Sequence, residues 1–581
     1  MKNWNLDALY LGFDETYQND LNRYESMIDD YVNWINSNID NPKTYIEGYL
    51  TRSEELTKLG RTLGSFVSLT MSTDVTHKEA PLYMSKLQKI SRKSTVEDVK
   101  FSRYLTTVDL DKLASDSKII SDYLYLLKLV QSDAKHLLSE KEEVLYAKLR
   151  ELASSSWGQL QSITTANLPV IYRGKEITLS EVRNLAYDQD PEVRKDAYEA
   201  EIKSFGLIED TVAMALSNIK REVVIMNELR GYESALDKTL ESSKMTRETL
   251  EAMISAMKDF RPDFEKYLQG KAKYLGHKNN LPFYDMFAPV GKLEKTYTYE
   301  EAQEIIKKAY YGFSKRLGDF ATKAFDQEWI DVYPKKGKRG GAFCSNQPQL
   351  GQSRIMTNFT GSLSDVLTLS HELGHGYHGD VISSNKPLHW SYPMPLAETA
   401  SIFCETIVNN YLLSLINDPK ERLSVLENSL QGDTQVIIDI LSRFIFESNL
   451  FDKANGPVSK HVMKEMMIEA QKEAYMNGLD HDTLHPYMWL VKGHYYSAGL
   501  NFYNFPYAFG LLFGKGLYAQ YLKDPEKFKK SYDELLSLTT KTSVEACASS
   551  MNIDVTDKAF WIDSLNQVKK DIDEVIELMN V

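Results

Sequence analysis

Apolar residues recur at steps of three and four along most of this chain, which is the spacing of an α-helix with one buried face. The stretch over residues 202–227 shows this spacing at Leu207, Ile208, Val212, Leu216 and Ile219. A second clear stretch covers residues 525–538. The 581 residues include only 29 glycines and 17 prolines, so few positions interrupt a helix. The pattern predicts a mainly α-helical fold.

Two segments depart from the helical spacing and predict short strands. Residues 168–172 and 175–179 flank Arg173 and Gly174, which indicates a small hairpin over residues 168–179. Residues 340–344 and 354–359 flank a polar turn, which indicates a second pair of strands. No change of composition marks a domain boundary. We expect a helical N-terminal lobe at residues 1–200, which includes the hairpin, and a second lobe at residues 201–581.

The charge and the cysteine content exclude some partners and suggest a compartment. The chain carries 82 acidic and 68 basic residues, a formal net charge of −14, which disfavours nucleic acid and anionic membranes. No apolar stretch is long enough to span a bilayer, and the polar first residues lack a secretory apolar core. The few cysteines, Cys344, Cys404 and Cys547, fit a reducing compartment, so we expect a cytoplasmic protein. The sequence does not determine its oligomeric state.

The segment His371-Glu372-Leu373-Gly374-His375 carries the strongest chemical signal in the sequence. On an α-helix, histidines four residues apart lie on one face and can reach the same ion. Glu372 would lie beside the open position of that ion, where it can remove a proton from a bound water. The motif therefore predicts a zinc site with a catalytic base, which makes the second lobe the catalytic one.

The residues around this motif favour a helix in close contact with another element. Ser362 and Asp365 have the spacing of an N-terminal cap. Gly374 and Gly376 each cost a helix roughly 1 kcal/mol relative to alanine. Their presence predicts that another element packs very closely against this helix.

The third zinc ligand has two candidates. His378 lies on the same helical face as His375, but three ligands from one straight helix converge poorly on a tetrahedral ion. Glu398 is the better candidate, because Pro395 suits the first turn of a separate helix. Glu405 follows on the same face of that helix. We expect Glu398 to bind zinc and Glu405 to bond to a histidine ligand, while His378 has a supporting or packing role.

At these residues the sequence resembles the oligoendopeptidase F family, within the thimet-oligopeptidase-like zinc metallopeptidases. The resemblance rests on several blocks beyond the zinc motif, and weaker similarity extends back to about residue 115. The blocks are residues 338–344, 356–361, 365–369, 371–375, 397–401, 493–496 and 502–510.

The resemblance implies a mainly α-helical, two-lobed, zincin-type metallopeptidase with a deep central channel and a small β-sheet beside the active site. The channel would admit short unstructured peptides and exclude folded proteins. The resemblance also implies one Zn²⁺ ion per chain, held by His371, His375 and Glu398, with Glu372 as the catalytic base. Family members cleave internal bonds of oligopeptides and are typically cytoplasmic in bacteria.

The resemblance further implies that a histidine and tyrosines near residues 493–510 stabilise the tetrahedral intermediate. A phenol O–H or an imidazole N–H can donate to the developing oxyanion. The roles stay open, since aromatic residues at helical spacing are usually core residues; the candidates are His494, Tyr496, Tyr503 and Tyr507. Residues beside the second predicted strand pair could align a peptide by β-augmentation. These substrate-binding candidates are Gly341, Ala342 and Phe359.

Three functions are compatible with these residues. The leading hypothesis is a zinc endopeptidase, in which Glu372 acts as general base on zinc-bound water and internal bonds of short oligopeptides are hydrolysed. A zinc carboxypeptidase would need a cation for the terminal carboxylate, such as Arg339 or Arg354. A non-catalytic peptide-binding protein would use zinc for structure, but such sites generally fill all four ligand positions with the protein.

Overall fold

The computed structural model describes residues 2–37, 39–291 and 295–580. Its internal contacts define two compact units, each built from three segments of the chain. Unit 1 comprises Met1–Leu137, Lys295–Leu412 and Tyr521–Met551. Unit 2 comprises Leu138–Glu294, Leu413–Gln520 and Asn552–Val581. No junction between these segments lies near residue 200, where the sequence suggested a division, because segments that are distant in sequence pack together in each unit.

The described residues are mainly α-helical, which confirms the predicted fold class. The first helices in chain order are α1 (Glu15–Ile35), α2 (Pro42–Thr73), α3 (Ala80–Ser91), α4 (Thr95–Leu105), α5 (Leu110–Ser115), α6 (Lys118–Asp122), α7 (Leu124–Asp133), α8 (Glu140–Leu152), α9 (Ser154–Ala166), α10 (Leu179–Asn184), α11 (Pro191–Phe205), α12 (Glu209–Arg230), α13 (Ala235–Ser243), α14 (Arg247–Asp259) and α15 (Arg261–Tyr274). The later helices are α16 (Tyr299–Phe313), α17 (Lys315–Asp326), α18 (Leu363–Ile382), α19 (Met394–Ala397), α20 (Thr399–Leu415), α21 (Pro419–Thr434), α22 (Ile440–Lys453), α23 (Lys460–Tyr475), α24 (Phe505–Lys523), α25 (Pro525–Leu538), α26 (Val544–Ser549) and α27 (Lys558–Met579).

Two small sheets contain the strands of the described residues. In unit 2, β1 (Val170–Tyr172) and β2 (Lys175–Ile177) form the predicted antiparallel hairpin around Arg173 and Gly174. In unit 1, a three-stranded sheet has the order β3 (Ile330–Asp331), β5 (Gln352–Met356), β4 (Phe343–Gln347). Strands β4 and β5 are antiparallel and strands β3 and β5 are parallel.

The second predicted strand pair is present, but its first strand begins later than expected. Residues 340–342 are outside β4, since Gly341 has a φ of +79°, which is incompatible with an extended strand. Met356 of β5 belongs to the buried cluster of α1 and α2, together with Tyr17, Leu63 and Phe66. The sheet of unit 1 therefore rests on the core that α1 and α2 form.

Helix α18 begins at the predicted cap. The backbone N–H of Asp365 donates to Ser362 Oγ (3.1 Å), and the N–H of Ser362 donates to Asp365 Oδ2 (3.0 Å). This reciprocal pair satisfies two N–H groups that the first turn of a helix leaves without partners. The same carboxylate accepts from the N–H groups of Thr360 and Gly361. The cap therefore connects β5 to the start of α18 through a rigid turn.

The glycines of α18 lie where other elements approach its backbone, as predicted. A Cβ on Gly374 would lie 2.6 Å from both the carbonyl oxygen of Ala400 and the Cα of Ser401, which belong to α20. A Cβ on Gly376 would lie 2.9 Å from the ring of Phe320 on α17. Helices α18 and α20 can come this close only because residue 374 has no side chain.

We expect Gly374→Ala to destabilise the protein by about 1–3 kcal/mol, because the added methyl group must push the backbone of α20 away. Thermal denaturation of the two purified proteins measures this effect. Gly432→Ala is the matched control, since Gly432 also lies in a helix but nothing lies within 4 Å of its added Cβ. The control should be stabilised by up to about 1 kcal/mol. Equal stability of the two variants would contradict the close contact at Gly374.

Candidate metal centre

Three side chains of unit 1 converge as the sequence predicted. Glu398 Oε2 lies 3.2 Å from Nε2 of His371 and 3.3 Å from Nε2 of His375. One ligand atom from each of the three residues lies within 4.8 Å of the other two. The two imidazole rings are nearly perpendicular, at 84°, with centroids 4.9 Å apart. Both ring nitrogens therefore point at the same small volume as the carboxylate.

Glu398 reaches the histidines from a break between two helices. The sequence suggested one continuous helix through Leu396 and Glu405, but α19 ends at Ala397 and α20 begins at Thr399. The hydroxyl of Ser401 donates to the carboxylate of Glu398 (2.7 Å) and to its carbonyl oxygen (3.0 Å). These bonds hold the Glu398 side chain in one orientation.

Glu405 makes the contact that was expected of it. Its Oε2 lies 2.9 Å from Nδ1 of His371, so it can accept the ring proton and leave Nε2 free to bind a metal. Burial lowers the pKa of His371, but the bonds to Glu398 and Glu405 outweigh burial and raise this pKa to about 10. Burial opposes ionisation of Glu398 too, yet the two histidines hold its pKa well below its ordinary range. The carboxylates of Glu398 and Glu405 therefore strongly favour a positive charge beside them.

Glu372 is buried next to these ligands without being one of them. Its side chain lies on α18 between the two histidines in sequence, and 7% of the residue is exposed. Burial raises its pKa, although the nearby histidines partly oppose this effect. A carboxylate with a raised pKa is a better proton acceptor than an exposed one. The position and the environment of Glu372 are compatible with a general base.

His378 packs in the core of unit 1 rather than beside the three ligands. Its Nε2 lies 2.8 Å from the hydroxyl of Thr539, and its ring stacks on Tyr392 with centroids 4.2 Å apart. Burial, with a smaller contribution from His375, lowers its pKa to about 3, which keeps the ring neutral. Of the two roles expected for His378, these contacts favour packing over support of a ligand.

Two residues that support the ligands, Asn346 and Ser401, are not predicted by the zinc motif. Asn346 on β4 donates to the carbonyl oxygen of His375 (3.1 Å), and Gly379 leaves the space that its side chain occupies. Ser401 supports Glu398, as described above. The spacing of Ser401, three residues after Glu398, could have suggested its contact, whereas the contact of Asn346 depends on how β4 lies on α18.

The residues expected to contact substrate lie around the sheet of unit 1. Gly341 and Ala342 precede the outer strand β4, and the carbonyl oxygen of Gly341 accepts from the side chain of Asn358 (2.8 Å). Phe359 is 3% exposed, and its N–H donates to the carbonyl oxygen of Val332 (2.9 Å). The backbone N–H of Phe359 is thus already used within the protein. Strand β4 is the longer of the two outer strands, and a peptide could be added beside it.

The candidates for oxyanion stabilisation belong to unit 2. His494 lies in a short 3₁₀ helix (Gly493–Tyr496), with its ring 5.5 Å from that of Tyr503. The hydroxyls of Tyr503 and Tyr507 lie 2.8 Å apart. Tyr496 is 4% exposed and its hydroxyl donates to the carbonyl oxygen of Trp489 (3.4 Å). The structure therefore groups His494, Tyr503 and Tyr507, whereas the contacts of Tyr496 are typical of a core residue.

The donor set of unit 1 fits a zinc ion. Two imidazole nitrogens and one carboxylate oxygen are a ligand combination of catalytic zinc sites, which keep a further position for water or substrate. The orientation of His371 by Glu405 adds the outer carboxylate that such histidine ligands commonly have. Within residues 2–37, 39–291 and 295–580, this is the one group of three His, Cys, Asp or Glu side chains that lies close enough to hold a metal ion.

Comparisons with known proteins agree with a helical metallopeptidase. Residues 184–567 match the family described as peptidase family M3, and residues 105–169 match the family described as oligopeptidase F. The first match covers more than half of the chain. The chain therefore belongs to peptidase family M3, and it is a metallopeptidase with peptide substrates.

Individual relatives support this assignment. Oligopeptidase PepF of Bacillus subtilis is 26% identical over 468 residues, which cover 78% of this chain and 68% of the relative. A solved structure from Chlamydophila abortus, described as that of a peptidase, has a TM-score of 0.86 at 21% identity and covers 99% of this chain and 98% of its own. Oligoendopeptidase F of Enterococcus faecium has a TM-score of 0.71 at 17% identity, with coverages of 98% and 99%. These two structures show that the fold is shared.

No helix in the described part of the chain is both long enough and apolar enough to span a membrane.

We expect Glu405→Ala to weaken zinc binding roughly 10- to 100-fold, because His371 loses the carboxylate that orients its ring. Competition with a chromogenic chelator measures the affinity. His378→Gln is the control: it removes a buried histidine of the same helix that does not contact the three ligands, so its zinc affinity should stay within about threefold of the wild type. A larger loss of affinity in His378→Gln than in Glu405→Ala would reverse these assignments.

Proposed function

We propose that the protein is a zinc-dependent endopeptidase that hydrolyses internal bonds of short, unstructured oligopeptides. The observation that carries this proposal is the convergence of His371, His375 and Glu398 within 4.8 Å, with Glu372 buried beside them. The names of relatives such as oligopeptidase PepF and oligoendopeptidase F support the same substrate class. A cytoplasmic location and a deep central channel, both expected from the sequence, remain predictions.

The three ligands would hold the metal ion in unit 1. A bound zinc ion supplies Lewis acidity, which polarises a peptide carbonyl and makes water easier to deprotonate. Glu405 would keep the ring of His371 in the tautomer that binds through Nε2, and Ser401 would hold the carboxylate of Glu398. The chain thus provides both the ligands and the groups that orient them.

Glu372 would transfer the protons of the reaction. Its carboxylate removes a proton from the attacking water, and the same carboxylic acid then protonates the leaving amine. Burial raises the pKa of Glu372, which helps it to hold the proton between these two steps. Glu372 gains one proton from the water and gives it to the new amine, so it is unchanged after each turnover.

A peptide substrate would be aligned by strand β4. This strand is one of the two outer strands of the sheet of unit 1, and an extended peptide can extend such a sheet by main-chain hydrogen bonds. Main-chain bonds do not depend on the side chains of the peptide, so they suit an enzyme with varied substrates. Gly341 and Ala342, just before β4, would contact the same peptide, whereas Phe359 would support the sheet from its buried position.

The carboxypeptidase alternative is less well supported than the endopeptidase. Of the two arginines considered for binding a terminal carboxylate, Arg354 is 2% exposed. Its guanidinium donates to the carbonyl oxygens of Asn5 and Ser353 and to the side chain of Gln352. It is therefore occupied by structural contacts. A purely structural zinc site is also disfavoured, because the described residues provide three close ligands rather than four.

We expect Glu372→Gln to bind zinc as the wild type does but to lose activity by roughly 10³-fold, because an amide cannot accept the proton of the attacking water. Zinc content is measured by elemental analysis and activity by cleavage of a quenched fluorescent peptide. Glu405→Gln serves as a comparison, since it also removes the charge of a carboxylate near His371 but leaves the base Glu372 in place. Retention of full activity in Glu372→Gln would contradict the proposed mechanism.

Quenched peptides of graded length test the substrate class. We expect cleavage of peptides up to an upper length limit, complete inhibition by a zinc chelator, and recovery when zinc is added back. Mass measurement of the first products distinguishes internal cleavage from the release of single terminal residues. Ready digestion of a folded protein, or products that differ from the substrate by one C-terminal residue, would contradict the proposal.

A further inference from the structure

A pocket in unit 2 shares no residue with the candidate metal centre. It lies where α10, α11 and a short 3₁₀ helix (Leu185–Tyr187) meet the segments around Phe283 and His485. The described residues that line it all belong to unit 2. Its cavity volume is about 240 Å³. Pockets for drug-sized ligands are usually larger, so this one suits a molecule of one or two rings.

Aromatic rings line this pocket. The rings of Tyr187 and Phe287 lie 5.2 Å apart with 30° between their planes, and those of Tyr198 and Tyr284 lie 5.8 Å apart. Tyr187 is 56% exposed, so part of its ring surface is available to a ligand. A lining of this kind favours a planar apolar ring, which can pack edge-to-face or offset against aromatic side chains.

His485 places an N–H group at the wall of the pocket. Its Nδ1 accepts a hydrogen bond from the backbone N–H of Tyr487 (3.2 Å), so Nδ1 carries no proton. The ring proton consequently lies on Nε2. This Nε2–H has no hydrogen-bond partner within the described residues, although His485 is only 1% exposed. A buried donor without a partner is rare and unfavourable, and a bound acceptor would satisfy it.

Glu201 faces this donor at a distance that is too long for a hydrogen bond. Its Oε2 lies 3.7 Å from Nε2 of His485, and its Oε1 lies 3.5 Å from Nε of Arg183. Normal N–H···O bonds are about 2.7–3.2 Å long. Burial opposes ionisation of Glu201, but the groups around it, chiefly His485, outweigh burial and lower its pKa. Glu201 is thus a carboxylate that can accept further hydrogen bonds.

Arg194 also lines the pocket, but its donors are used within the protein. Its Nε donates to Oδ1 of Asp285 (2.7 Å), and its Nη1 donates to two backbone carbonyl oxygens (2.6 and 3.0 Å). Among the described lining residues, this leaves Arg183 as the second cation and Glu201 as the anion that faces it. Because these two charges balance, the pocket favours an uncharged ligand.

We propose that this pocket binds an uncharged, planar aromatic molecule whose edge carries a hydrogen-bond acceptor next to an N–H donor. The acceptor bonds to the Nε2–H of His485, and the N–H donates to Glu201. These two groups are 3.7 Å apart, which places them within reach of two neighbouring ligand atoms. The ring packs against Tyr187 and Phe287. Aromatic carboxamides and nucleobases both have such an edge.

Small probes test the chemistry of this edge on the zinc-loaded full-length protein near neutral pH. Benzamide represents the carboxamides and adenine the nucleobases, whereas acetophenone replaces the NH₂ group of benzamide with a methyl group. We expect benzamide, adenine or both to bind with a dissociation constant of about 1 mM. Acetophenone should bind roughly tenfold more weakly than benzamide, because it cannot donate to Glu201. The tighter of benzamide and adenine identifies which source of ligand the pocket prefers.

The methyl signal of Met488 reports binding at this pocket, because Met488 is one of its lining residues. With ¹³C-methyl-labelled methionine, this signal is assigned among the 19 methionines by its absence in Met488→Leu. We expect it to shift as benzamide or adenine is added, and the titration gives the dissociation constant. No shift with either probe up to about 5 mM would mean that the pocket holds water alone and would overturn the proposal. Equal affinity for acetophenone and benzamide would overturn it as well.

Glu201→Gln and Tyr187→Ala test whether the pocket residues make the predicted contacts. Glu201→Gln keeps the shape of the side chain but removes the charged acceptor. Tyr187→Ala removes an exposed ring, so the fold should persist. We expect each variant to bind the preferred probe roughly tenfold more weakly.

Glu199→Gln is the matched control. It removes an exposed carboxylate from the same helix, α11, at a position that does not line the pocket. Its affinity for the preferred probe should stay within about twofold of the wild type, because an exposed charge contributes little. Thermal denaturation of each variant checks that it is folded. Unchanged affinity in either folded pocket variant, or an equal loss in Glu199→Gln, would overturn the proposal.

Discussion

The contact between α18 and α20 at Gly374 is the constraint on which the candidate centre depends. The two helices approach so closely that a single methyl group would lie 2.6 Å from the backbone of α20. This approach brings Glu398, in the break just before α20, within 3.3 Å of both histidines of α18. A glycine in a helix is unfavourable by itself, and here the close contact that it permits offsets this cost.

The same contact concentrates acidic groups in a partly buried place. Glu398 and Glu405 both bond to His371, and Glu372 is buried beside them. Buried carboxylates are unfavourable unless positive charge or hydrogen bonds compensate them. Glu398 faces Nε2 of both histidines, where a cation can bind, and Glu405 bonds to Nδ1 of His371, while burial raises the pKa of Glu372. The environment thus separates residues that can hold a metal from a residue that can transfer a proton.

In unit 2, a neutral amide and a cationic side chain orient His494. His494 has a pKa of about 3 because it is buried near cations, so it can act as a hydrogen-bond donor rather than as an acid. Its direction depends on Asn504 and Arg443, and the π-helical turn that ends at Asp439 anchors that pair.

Local features of the sequence predicted much of the fold and of the candidate centre. Helical spacing, the cap at Ser362 and the hairpin around Gly174 depend on neighbours along the chain, so they can be read without tertiary contacts. The four-residue spacing of His371 and His375 places them on one face for the same reason. Glu398 was predicted from the need for a third ligand, but the break between α19 and α20 that directs it was missed.

The sequence by itself determined the helical character of the chain and the two histidines and glutamate of the motif, because these follow from geometry within one helix. Only the tertiary structure decided that His378 and Tyr496 pack in the core, that Asn346 supports His375, and that Arg443 orients Asn504. These contacts join residues far apart in the chain. Their geometry depends on how helices and strands pack, and no local spacing encodes it.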